Sequence, residues 1–228
     1  MRRRTILMLM AMAAMVVLES GVAWAKVVEG TNAGETLTGT NNPDLIKAFG
    51  GNDTINAKGA ADELRGGSGI DDMRGENGND TYRGGPGPDK LSEVTGVTTP
   101  PTSEGYSGED VMYGEGGNDK MEGARGNDEL HGGPNPPTTE LSEYEDLYGE
   151  GGNDKLYGED GPDNVVGQEG SDLMSGGADG DYLDAIDSET VGTADTVNCG
   201  GGVDMVDAND NDIVASDCEN VLRYPNPQ

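Results

Sequence analysis

Aromatic side chains are scarce in this chain: one Phe, one Trp and eight Tyr, together 4% of 228 residues. Apolar residues reach only 32%, so the large side chains that fill an ordinary core are missing. Composition alone would set the chain near the disordered class. Basic residues are few as well, 14 Lys and Arg against 44 Asp and Glu, for a formal net charge of −30. That balance excludes nucleic acid and anionic membranes as partners, and internal ion pairs cannot neutralise it. One His and two Cys are too few for zinc or copper clusters. His131, the lone histidine, has no Ser or Cys partner in view for nucleophilic catalysis. No Gly-Lys-Ser/Thr triplet occurs, which removes a phosphate-binding loop.

Long apolar runs are also wanting. The run from Ile6 to Leu18 has 13 residues, too short to span a bilayer about 30 Å thick. It follows Arg2, Arg3 and Arg4 and precedes Ala23-Trp24-Ala25, the order of a cleaved export signal. Residues 1–25 are therefore expected to be a signal peptide and the mature chain to be secreted, with no membrane insertion. Arg3-Arg4 leaves the general and the twin-arginine export routes both open. Cleavage would leave 11 basic residues against 43 acidic ones, a net of −32. Such a chain needs multivalent cations if it is to become compact.

What the sequence has in abundance is glycine, 39 residues, and it is periodic. From Gly30 the chain divides into nonapeptides: seven to Ser92, three from Gly105 to His131, five from Glu140 to Asp184 and two from Thr190 to Asp207. Insertions separate the blocks at 93–104, 132–139 and 185–189. In all 17 units the eighth place is Leu, Ile, Val, Met or Tyr. Chance would produce that on the order of once in 10⁸ trials, so acidic low-complexity disorder is a poor account of the pattern. The sixth place is always acidic. It is Glu35 and Glu145 in two units, and Asp44, Asp53, Asp62, Asp71, Asp80, Asp89, Asp110, Asp119, Asp128, Asp154, Asp163, Asp172, Asp181, Asp195 and Asp204 in the others.

Glycines at the first, second and fourth places suit positive φ angles and a tight turn. The x-apolar-x triplet that follows suits a very short strand with one side chain facing inward. Two nonapeptides then make an 18-residue coil, and stacked coils carry their apolar residues as a thin internal column. Asp44, Asp62 and Asp80 fall on one edge of the stack, and Asp53, Asp71 and Asp89 on the other. Strands of adjacent coils lie about 4.8 Å apart. A Ca²⁺ ion, taking oxygens at about 2.3–2.6 Å from one carboxylate per coil and from turn carbonyls, fits that spacing better than Mg²⁺.

The units, most fully Gly66-Gly67-Ser68-Gly69-Ile70-Asp71-Asp72-Met73-Arg74, resemble the hemolysin-type or RTX calcium-binding nonapeptide, G-G-x-G-x-D-x-U-x with U a large apolar residue. The resemblance covers nearly all of residues 26–207. It implies an all-β fold, a right-handed parallel β-roll (a β-solenoid), with the sixth-place Asp residues as side-chain ligands to several Ca²⁺ ions and glycine carbonyls as backbone ligands. The first four units, Gly30 to Arg65, lack the glycine pair, so they read either as calcium sites or as rungs without metal. The extra methylene of Glu35 and Glu145 suits a different reach to the ion or a capping coil.

Asp207-Ala208-Asn209-Asp210-Asn211 begins like an EF-hand, but Asp212 stands in place of the turn glycine and Cys218 in place of the bidentate Glu. The many carboxylates could imitate a glycosidase pair, yet their regular period favours structural metal. The repeats leave no room for a catalytic domain, so no enzyme is expected. Cys199 and Cys218, in an exported chain, are expected to form a disulfide in a C-terminal cap, residues 208–228. The functional expectation is calcium-dependent folding outside the cell. A surface adhesin or matrix component is the alternative, with outward Tyr113, Tyr148 and Tyr157 and the Pro/Thr-rich insertions meeting a cell-surface or matrix partner.

Overall fold

The computed structural model describes residues 25–92, 108–134, 144–187 and 193–226. The expected signal segment, apart from Ala25, lies outside the described residues, as does the insertion at 93–104. The insertions at 132–139 and 185–189 are described only in part.

Every element among the described residues is a strand, turn or bend. Twenty strands alternate between two ten-stranded sheets, and every pairing is parallel. The first sheet runs from Lys26–Glu29 to Ile213–Val214 and the second from Thr36–Thr38 to Asn220–Tyr224. Partners within an uninterrupted block are 18 residues apart, as in Ile46 with Leu64 and Ile55 with Met73. The chain is thus a parallel β-roll, one coil of two nonapeptides per rung.

The eighth-place residues of all 17 units are buried and form one column. Because that column is one side chain wide on each sheet, a chain poor in apolar residues can still fill it. Tyr82 is the largest member, and its hydroxyl accepts the Gly75 N–H at 2.7 Å, so its polar end is satisfied inside. Most seventh- and ninth-place residues face outward, where Lys90 and Lys120 both reach Glu122, while ninth-place Ser92 is buried.

Three details depart from the spacing argument. Many strands exceed the three-residue triplet: Glu145–Gly151 and Asp163–Glu169 each hold seven residues, because the first three places of the next unit stay in register and continue the ladder. First-place glycines do not adopt positive φ. Those angles fall at second and fourth places, as in Gly67 at 107° and Gly69 at 137°, and non-glycine Glu115 and Glu159 take them too at 74° and 79°. The first described residues of the two later insertions also keep repeat positions. Gly132 occupies the first-place position above the Glu145 carboxylate, and Ala185 pairs with Ala208 in the same column.

The C-terminal segment expected to act as a cap supplies a further rung. Val214 and Val221 pack against the core column, and Cys199 bonds Cys218 across that rung. Cys199 takes a buried first-place position, where most units carry Gly or Ala.

Candidate metal centres

Each sixth-place residue stands at or immediately before the start of a strand, so the parallel stacking brings these acids into two rows, one at each edge of the roll. On the first edge an unbroken hydrogen-bond ladder joins them. Asp44 N–H donates to Asp62 Oδ1 at 2.7 Å, Asp62 to Asp80 at 2.7 Å, and so on through Asp110, Asp128, Asp154, Asp172 and Asp195 to Asp212. On the second edge Glu35, Asp53, Asp71, Asp89 and Asp119 are joined in the same way, as are Asp163, Asp181, Asp204 and Glu219. Glu145 lies between these two runs, its N–H bonded to the Asp163 carboxylate. Spacing arguments put only mutual repulsion or an ion between neighbouring carboxylates. The structure puts a backbone N–H there, and it takes one oxygen of each acid.

The second oxygen differs. Oδ2 of Asp53, Asp62, Asp71, Asp80, Asp89, Asp110, Asp119, Asp128, Asp154, Asp172, Asp181, Asp195 and Asp204 is buried and has no hydrogen-bond partner. In most units it turns back over the first-place glycine of its own unit. A Cβ at Gly149 would stand 2.5 Å from Asp154 Oδ2 and 3.0 Å from the Gly167 carbonyl, closer than real contacts allow. First-place glycine therefore makes room for a carboxylate oxygen beside a turn carbonyl.

The ends of the rows are closed. Both oxygens of Glu35 accept from Thr31, and Asp44 accepts from Lys26 N–H and Thr40 N–H. At the far end Asp212 accepts from Asp195 and Asn209, while Arg223 donates to the carbonyls of Asn209 and Asp212. Only interior members keep an open oxygen. The glycine-poor first block is split by this difference, with Glu35 and Asp44 fully bonded and Asp53 and Asp62 not.

Such oxygens are costly to bury as anions. Burial pushes Asp62, Asp110, Asp119, Asp154 and Asp181 up to about 7, and Asp89, Asp128, Asp163 and Asp195 to about 8. Neighbouring carboxylates in the row add to the rise, and the backbone N–H opposes it. Glu145 rises furthest, to about 10, through burial and the charges of Asp163, Asp119 and Glu159. Among the described residues no three His, Cys, Asp or Glu side chains converge into a ready-made cage. A cation at these edges would draw on one carboxylate from each of two coils and on turn carbonyls, a hard-oxygen set that suits Ca²⁺.

Several features escaped the sequence. Fifth-place Asn residues form an outer ladder, with Asn127 Oδ1 accepting Asn153 N–H and Asn153 Oδ1 accepting Ser171 N–H, both at 2.8 Å. Asn at that place in several units was the available signal. Arg223 carries no repeat signal at all. On the outer face, His131 stacks between Tyr113 and Tyr157 with centroids 4.9 and 4.8 Å away, and Arg83 covers the other face of Tyr113. Both His131 ring nitrogens meet carboxylates, Glu129 and Glu159. Tyr148 lies under Lys120.

A parallel β-roll with two buried rows of half-bonded carboxylates defines a repeat protein whose edges suit hard cations. A family model for the RTX calcium-binding nonapeptide repeat matches in four copies, over residues 29–64, 57–91, 103–134 and 147–183. No curated protein matches the chain significantly. The matched residues exceed half of the chain, and it belongs to the RTX calcium-binding nonapeptide repeat family. That family is a structural calcium-binding repeat and not an enzyme family, and membership implies calcium binding.

Proposed function

We propose that this chain is exported and binds several Ca²⁺ ions outside the cell, folding into its roll as it does so. The observation that carries the reading is the set of buried, unpartnered Oδ2 atoms in the two rows, such as those of Asp53, Asp71, Asp128, Asp154 and Asp181, each beside a backbone-bonded Oδ1. Interior sixth-place acids would hold the ions, with turn carbonyls completing six or more oxygens. Glu35 and Asp44 close the N-terminal ends of their rows instead, since their oxygens are already bonded.

Bound calcium supplies the positive charge that lets these carboxylates remain ionised inside the roll. The chain's own part is to aim Oδ1 at a backbone N–H, which fixes the side chain and leaves Oδ2 toward the turn. A charge of −30 opposes compaction without such ions, so binding energy becomes folding energy. Export is supported by the N-terminal pattern of residues 1–25 and by the Cys199–Cys218 disulfide, a bond that persists in oxidising compartments. Nothing favours the adhesin alternative equally. Of its three tyrosines, Tyr113 and Tyr157 stack on His131 and Tyr148 lies under Lys120.

Far-UV circular dichroism in calcium and in chelator is the test. At pH 8 the proposal expects parallel-β signal only with calcium, and equal β content in both conditions there would overturn it.

A further inference from the structure

Ala185 is buried in the first-place column, and the chain leaves the repeat directly after it. Two residues on, Asp187 is 4% exposed although it stands at no sixth place. Its N–H donates to Asn209 Oδ1, one coil ahead, at 3.0 Å. Its Oδ2 accepts the Thr193 hydroxyl, and the Gly170 N–H from one coil behind also reaches the carboxylate. Asp187 is therefore held inside the turn stack of the first edge, between the turn that ends at Asp172 and the turn that ends at Asp212.

Its Oδ1 is left without a partner, and so are Oδ2 of Asp172 and of Asp195, which are 2% and 0% exposed. Asp187 interacts electrostatically with both, and the Asp212 carboxylate adds negative charge around Asp187 and Asp195. Among the described residues Asp187 alone is a buried acid outside the repeat places with an unpartnered oxygen. Buried carboxylates of this kind are paired, protonated or ligands to a metal. Arg223, at the end of the same turn stack, is occupied by the carbonyls of Asn209 and Asp212.

We propose that Asp187 adds an off-pattern ligand, its Oδ1, to the calcium site that the acids of neighbouring coils, Asp172 and Asp195, would form. The inference rests on the calcium reading above and adds to it a ligand that the nonapeptide does not encode. Three carboxylates bring more negative charge than the two available between ordinary neighbouring coils, and ligand charge sets calcium affinity. The three side chains do not already meet at one point, so binding draws them together. This site is the tightest in the roll and lies at its C-terminal end.

Calcium bound per chain, counted by equilibrium dialysis with metal analysis and titrated by calorimetry, tests this on the full chain. Asp187→Asn is expected to lose the tightest phase, whereas Asp71→Asn keeps it. Unchanged affinities in Asp187→Asn overturn the proposal. Should that variant fail to fold in saturating calcium, Asp187→Glu keeps the charge and is expected to fold with the full count; its failure to do so overturns the proposal. A parent chain that binds no calcium defeats the calcium reading itself, while a calcium-binding parent whose tightest phase is untouched by Asp187→Asn defeats only this inference.

Discussion

The Asp71 carboxylate accepts the backbone N–H of Asp53, one coil earlier, through Oδ1 at 2.9 Å, and turns Oδ2 over Gly66. One side chain thereby links two coils and offers an oxygen to the turn. The same relationship recurs along both edges, so on the proposed function calcium uptake and coil stacking are expected to be coupled.

A methyl group under that oxygen tests the arrangement. Gly149→Ala places Cβ 2.5 Å from Asp154 Oδ2 and is expected to weaken calcium binding and lower stability by about 1–3 kcal/mol. Lys155→Ala, an exposed neighbour, should stay within about 0.5 kcal/mol. Thermal melts at fixed calcium compare the two.

The rows predict different roles for acids of the same place. Asp154→Asn should reduce the calcium count, because its Oδ2 is unpartnered, whereas Asp44→Asn should leave the count unchanged and only fray the N-terminal coil. Calorimetric titration reads both.

Acidity acts in a defined direction. Folded-state values near 7 for Asp62 and Asp154 and near 8 for Asp128 exceed the ordinary 3.8. Between pH about 4 and about 8 the folded chain then holds more protons than the unfolded one, and its stability without calcium falls as pH rises through that window. In chelator, β content should increase as pH is lowered from 8 to 4, and calcium binding at neutral pH should release protons. Circular dichroism against pH and calorimetry in two buffers of different ionisation enthalpy measure these effects.

The core column should be sensitive at any rung. Leu156→Ala empties a fully buried position and is expected to cost about 2–5 kcal/mol, while Ile213→Ala, 64% exposed, should cost little. Denaturant titration in saturating calcium distinguishes them.

Reduction of Cys199–Cys218 is expected to lower stability by roughly 3 kcal/mol, the chain-entropy value for a loop of that size. Hydrogen exchange should rise first in Asn220–Tyr224, the last strand of the second sheet, and leave the strand at Glu63–Ser68 protected.

Much of this protein follows from periodicity alone. A fixed nine-residue phase with an acid at the sixth place and an apolar residue at the eighth, from Glu35 and Leu37 to Asp204 and Val206, dictates coil length, the inward column and the two acidic edges, because each is a consequence of spacing. Tertiary structure decided what depends on contacts between coils. It alone assigned Oδ1 to a neighbour's N–H, closed the rows at Asp44 and Asp212, put Gly132 over Glu145 across an insertion, and buried Asp187. Those outcomes turn on which atom of a side chain meets which turn one coil away. A repeat pattern carries that information only where the repeat is unbroken.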